Sequence, residues 1–161
     1  MRVQLGAAII FLLPQTGFAQ GQAQGSCEQA AFAAVVSDAS GMLAAMNEDN
    51  KKAFQARLAA LKAREGWADG DYAARATPFV KDSTTAALDE NNKALLEKVP
   101  LLGGAGQAAP EQLAARRCAM LDELRGLMGK VVENTKAKWA HMLGKLDAVL
   151  TTPREAKTAG R

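Results

Sequence analysis

Apolar residues recur three and four positions apart along most of the chain beyond residue 26, the spacing that places them on one face of an α-helix. The first such stripe stays in phase across the polar segment Asn47–Asn50. We therefore predict one long first helix, with Ser26 as N-cap and Gly66 as C-cap. A break at Asn47–Asn50 is the alternative. The stripe consists of Phe32, Val35, Ala39, Met42, Met46, Phe54, Leu58 and Leu61.

Two further helical regions follow. The second is predicted from about Asp71 to Val99, and its thin apolar stripe leaves two options for Pro78, which either begins a new helix or kinks a longer one. A glycine-rich connector, Pro100–Ala109, leads to a last helix from Pro110 to about Leu150. The predicted buried stripe of that helix is Leu121, Leu124, Met128, Val132, Trp139, Met142, Leu143, Leu146 and Leu150.

These regions predict an all-α fold, an elongated three-helix bundle that runs up, down and up over residues 26–150. Composition supports the helical class, because alanine is abundant while aromatic residues make up only 5% of the chain. A break at Asn47–Asn50 would instead give a four-helix bundle.

The two cysteines discriminate between these topologies. In an up-down-up bundle the first and third helices begin at the same end, so Cys27 and Cys118 can meet. With four helices the last would begin at the opposite end. We therefore predict a structural disulfide between them, which requires an oxidising compartment. No C-x-x-C spacing is present, so redox catalysis is not expected.

The N-terminus predicts export. Arg2 precedes an apolar run, Leu5–Leu13, that is much shorter than the roughly 20 residues of a membrane span. Small residues at Gly17 and Ala19 suit signal-peptide cleavage after Ala19. We thus expect a signal peptide over residues 1–19, a flexible leader over 20–25, the helical domain, and a polar tail over 151–161. No later segment is expected to span a membrane.

Candidate chemistry is sparse. The only histidine, His141, lies about 200° around the last helix from Trp139, so it is expected to face solvent. That position argues against haem ligation by His141 with Met42 or Met46, and C-x-x-C-H is absent. We predict no cofactor, no metal site and no catalytic residues, and hence no enzyme.

One loop is a candidate binding site. Asp69 and Asp71 surround Gly70, and Trp67 and Tyr72 flank them. Two carboxylates and two aromatic rings in one turn could bind a cation, a small molecule or a cell-wall sugar. The simpler interpretation is that the aromatic rings cover the end of the bundle.

The sequence therefore favours an exported, periplasmic, non-catalytic protein that acts through protein contacts, as a chaperone-like, adaptor or accessory factor. The expected partner is another exported or envelope protein. A net charge of only +3 argues against nucleic acid. The alternative is a small-molecule, cation or cell-wall binding protein that uses the Trp67–Tyr72 loop. The sequence does not determine the oligomeric state.

Overall fold

The computed structural model describes residues 27–103 and 110–153. These residues form four α-helices and no strand, so the all-α prediction is confirmed. The helices are α1 (Gln29–Glu65), α2 (Tyr72–Val80), α3 (Ser83–Leu96) and α4 (Pro110–Thr151), with 3₁₀ turns at Asp69–Asp71 and Val99–Gly103. The predicted signal peptide, the leader, most of the glycine-rich connector and most of the tail lie outside the described residues. The predicted N-cap of the first helix is wrong, because α1 begins at Gln29 and its N-cap is Glu28, not Ser26.

The first helix is continuous, as predicted. α1 passes through residues 47–50 without a break and ends at Gly66, whose φ of 66° and ψ of 39° place it in the left-handed region. Glycine adopts this conformation without a Cβ penalty. The backbone N–H groups of Gly66 and Trp67 both donate to the Lys62 carbonyl, which satisfies an acceptor at the helix end. The four-helix alternative that required a break in α1 is therefore wrong.

The second helical region is divided at residues 81 and 82, so both predicted options, a new helix that begins at Pro78 and a longer helix kinked there, are wrong. α2 contains Pro78 and ends at Val80, and the extended residues Lys81 and Asp82 separate it from α3. Asp82 is the N-cap of α3. Its carboxylate accepts from the Thr85 backbone N–H at 2.8 Å, while the Thr85 hydroxyl accepts from the Asp82 N–H at 3.0 Å. This reciprocal capping box stabilises a helix start four residues after Pro78.

α4 is the helix on which the others pack. The most extensive helix contacts join α1 to α4 and α3 to α4, whereas α1 and α3 are not among the helix pairs in extensive contact. Cys27 is bonded to Cys118 near one end of α4. Near the other end, the Arg64 guanidinium donates to the carbonyls of residues 149 and 150. These two connections show that α1 and α4 run in the same direction.

The buried apolar residues form two clusters along this axis. The disulfide-end cluster comprises Ala39, Leu102, Leu124, Leu127 and Met128, with Phe32, Val35, Leu95, Val99, Met120 and Val132 packed around it. The distal cluster comprises Phe54, Leu58, Leu61, Met142 and Leu146, with Trp67, Tyr72, Ala76, Phe79, Val80, Trp139, Leu143 and Leu150 around it. The predicted stripes of α1 and α4 supply most of both clusters. Met42 is an exception, since it is 55% exposed.

Candidate functional site

The disulfide fixes one end of the molecule. Cys27 and Cys118 have Cα atoms 4.9 Å apart and are bonded through their sulfurs, with 91 positions of chain between them. Cys27 directly precedes α1, and Cys118 lies in the first third of α4. The bond therefore holds the start of α1 against α4, next to the disulfide-end cluster.

An apolar groove of about 900 Å³ opens beside this bond. Its floor is α4, through Met120 and Leu124. One wall is the start of α1, and the other is the 3₁₀ turn that follows α3. The groove is lined by Phe32, Ala33 and Val36 on the α1 side and by Val99 and Leu102 on the opposite side. A cavity of this size lies within the range of small-molecule sites, roughly 300–1,000 Å³.

Two residues of opposite charge, Glu28 and Arg117, line the groove. Glu28 is the N-cap residue of α1, and its side chain makes no capping hydrogen bond. Arg117 lies on α4. Each is adjacent in sequence to a cysteine of the disulfide, so the bond places both charges at the same end of the groove. Both are exposed, and within the described part of the chain neither forms an ion pair.

A second polar cluster joins the α2–α3 junction to α4. The Asp82 carboxylate accepts from Lys145 Nζ at 2.6 Å and lies 2.7 Å from His141 Nε2. Lys145 also donates to the Pro78 carbonyl. The prediction that His141 faces solvent is wrong: its side chain is 32% exposed and packs against the start of α3.

The electrostatics of this cluster favour the ionised carboxylate. Hydrogen bonds from Lys145, from the Thr85 backbone and from His141 hold the pKa of Asp82 well below its usual range. The cluster is partly open to solvent, with the Asp82 side chain 27% exposed. This cluster, here called the charged joint, anchors the N-terminus of α3 to the C-terminal third of α4.

The aromatic side chains of the Trp67–Tyr72 loop pack against the helices. Trp67 and Tyr72 are half-buried and contact the distal cluster. Lys62 donates to Asp69, which lowers the pKa of that carboxyl group, and its ammonium lies 5.7 Å from the centre of the Tyr72 ring. Asp71 is exposed. Among the described residues no group of three or more metal-ligating side chains occurs.

Polar side chains occupy the space between the two apolar clusters. Thr85 is only 2% exposed, and Trp139 Nε1 donates to Asn47 Oδ1 at 2.7 Å. Asn92 Nδ2 donates to Thr135 Oγ1 at 3.2 Å, while Asn92 Oδ1 is buried without a hydrogen-bond partner. The polar neighbours of Thr85 and Asn92 in sequence, Thr84 and Asn91, are exposed.

The N-terminal half of α1 has an outer face with a single charged residue. Asp38 is the only charged residue between positions 29 and 47. An 18-residue window of α1 reaches a mean hydropathy of 1.2, and only 6% of it is buried. By length and composition alone α1 could therefore cross a membrane, so the prediction that no later segment is long or apolar enough is wrong by this criterion. This high mean hydropathy comes from the many alanine residues in the N-terminal half of α1 and from its single charge.

The groove and the charged joint were not identified from the sequence. The groove combines residues from α1, α4 and the turn after α3, which no local pattern brings together. The joint had one local signal, an aspartate three residues before a threonine at a helix start. The chain matches no known protein family, no curated protein and no solved structure.

Proposed function

We propose that the protein is exported, loses its signal peptide after Ala19, and acts without catalysis by binding another exported or envelope protein. The disulfide supports an oxidising compartment, because such bonds are rare where thiols are kept reduced. The periplasm is the compartment that this proposal names. Within it, the three helical segments would serve as an elongated up-down-up scaffold, with α2 and α3 together as the descending segment.

The exposed apolar half of α1 carries this proposal. Val36 is 37% exposed and Met42 is 55% exposed, and the other exposed residues of this half are mostly alanine, serine and glycine, with Asp38 as the one charged residue. A solvated helix normally carries charged side chains on its outer face, and contiguous exposed apolar surface marks interaction sites. The C-terminal half of α1 has the ordinary pattern, since charged residues recur from Glu48 to Glu65.

The polar contacts between α3 and α4 support the idea that α3 moves away from α4 when a partner binds. Lys138 Nζ contacts both carboxylate oxygens of Asp89, at 2.6 and 2.7 Å, and Asn92 bonds to Thr135. Such partly exposed polar contacts exchange with water at little cost, whereas apolar packing does not. α3 could therefore separate from α4 more easily than α1 could, and the exposed methionine would adapt to a partner's surface.

A pair of matched variants tests the proposed interface. Ala34→Glu places a charge on the exposed N-terminal half of α1, and Ala60→Glu makes the same change on the charged half. We expect Ala34→Glu alone to abolish co-purification of the partner from periplasmic extract, with both variants unfolding at similar urea concentrations. Equal capture by the two variants would contradict the proposed interface. Export is tested separately by N-terminal sequencing of the periplasmic protein.

The alternative site at the Trp67–Tyr72 loop has less support. Its aromatic rings contact the distal cluster and Asp69 is bonded to Lys62, which leaves Asp71 as the carboxylate of this loop without an ion pair. The loop geometry therefore favours the interpretation that its aromatic side chains cover the end of the bundle.

A further inference from the structure

The geometry points to the groove beside the disulfide as a binding site for a single-chain zwitterionic amphiphile, such as a lysophospholipid. This site borders the outer face of α1 on which the proposed function rests, and Val36 belongs to both surfaces. Its occupant is inferred from two features, an apolar lining and a pair of unpaired opposite charges at one end.

The lining suits an acyl chain. Phe32 and Val36 form one wall, Val99 and Leu102 the other, and Leu124 lies in the floor. The polar groups at the groove belong to Gln29 and Ser37 on α1 and to the two charged residues at its end. An extended apolar chain would bury its methylenes against these side chains, with each fully buried methylene strengthening binding about fourfold.

The charges specify the head group. Glu28 and Arg117 flank the disulfide and do not form an ion pair with each other. A purely anionic head group would be attracted by Arg117 but repelled by Glu28. A purely cationic head group would be attracted by Glu28 but repelled by Arg117. A head group with a phosphate and an ammonium complements both charges at once.

The leader is a poor occupant by comparison. It joins the chain next to Cys27, but its sequence QGQAQG has no large apolar side chain with which to fill an apolar groove. A second copy of the chain remains as the competing occupant, and the experiment distinguishes it.

Titration with n-dodecylphosphocholine below its critical micelle concentration tests the site, with heat and amide NMR shifts as readouts. We expect saturable binding at one site, shifts centred on the groove, and affinity about fifteenfold weaker when the chain is shortened by two methylenes. Ala33→Trp fills the groove and should weaken binding at least tenfold. Ala34→Trp, on the neighbouring residue that does not line the groove, is its matched control.

Head-group specificity provides an independent test. Arg117→Gln should weaken dodecylphosphocholine and dodecanoate two- to fivefold, as expected for an exposed ion pair. The same substitution should not weaken dodecyltrimethylammonium, because it removes the charge that repels the cationic head group. Glu28→Gln should weaken dodecylphosphocholine and dodecyltrimethylammonium but not dodecanoate. Arg116→Gln, beside the groove residue, is the control and should change none of them.

Three results would overturn the inference. The first is equal binding by the Ala33→Trp and Ala34→Trp variants, and the second is non-saturable uptake of the amphiphile. The third is a dimer in sedimentation equilibrium that Ala33→Trp dissociates, which would make a second copy the occupant. None of these results bears on the Ala34→Glu test of partner binding, so the two proposals fail independently.

Discussion

Removal of the disulfide should cost a large part of the stability of the domain. Replacement of Cys27 and Cys118 by alanine opens a loop whose ends are 91 positions apart in sequence. In the chain-entropy model, closing a loop of that length stabilises the folded state by about 4.6 kcal/mol, because it restricts the unfolded chain. Domains of ordinary size are stable by only about 5–15 kcal/mol, so the open form should be marginal.

Urea unfolding at pH 7 measures this effect with an internal control. Oxidised wild type, wild type reduced with dithiothreitol, and the Cys27→Ala/Cys118→Ala variant are compared by circular dichroism. The reduced protein and the double variant should unfold at the same, much lower urea concentration, since both lose the same constraint. Agreement between them excludes a packing effect of the substitutions.

Two observations would refute the reasoning. One is peptide mapping of unreduced protein by mass spectrometry that finds both thiols free. The other is a difference of less than about 1 kcal/mol between the oxidised and reduced forms, which would show that the unfolded chain is already compact and that loop entropy does not apply.

Three further predictions concern the charged joint, the Asn92 side chain and the loop. The pKa of Asp82 is lowered in the folded protein, so its stabilising contribution is complete above the ordinary carboxyl range and is lost as the pH falls through the lowered value. The free energy of unfolding should therefore decline between pH 5 and 2. This decline should be less steep in the Asp82→Asn variant. Asn92→Leu removes a buried unpaired oxygen and should leave stability unchanged or raise it by up to about 1 kcal/mol in urea unfolding, whereas a loss above 1 kcal/mol would show that the Thr135 bond dominates. Trp67 fluorescence, isolated by Trp139→Phe, should not respond to sugars or divalent cations; saturable quenching would restore the loop as a binding site.

Much of the fold follows from local sequence signals. The in-phase stripe from Phe32 to Leu61 predicts a continuous α1, and Gly66 predicts its end, because both depend only on helical geometry and on the freedom of glycine. The stripe of the last helix was also identified. Each of these features is decided within a few turns of helix, where periodicity is informative.

The features that were missed depend on the arrangement of helices. The apolar stripe of the last helix predicts that the side opposite Trp139 faces solvent. α4, however, packs against α1 on one side and α3 on another, so it buries two stripes, and His141 lies on the second with Lys138 and Lys145. One apolar stripe in the sequence identifies the face that packs against one neighbouring helix, but it does not identify a second, more polar face that packs against another. Likewise, Pro78 predicts a helix boundary or a kink at residue 78, whereas the capping box at Asp82 determines where α3 begins.

The central position of α4 has a consequence for the order in which the chain can fold. α1 and α3 each find their main packing surface on the last helix, and the second cysteine of the disulfide lies there too. A chain emerging N-terminus first therefore has neither core nor covalent bond until residues beyond 118 follow. Such a chain gains its packed structure only when its C-terminal third arrives, and this delay would keep it open for the export proposed above.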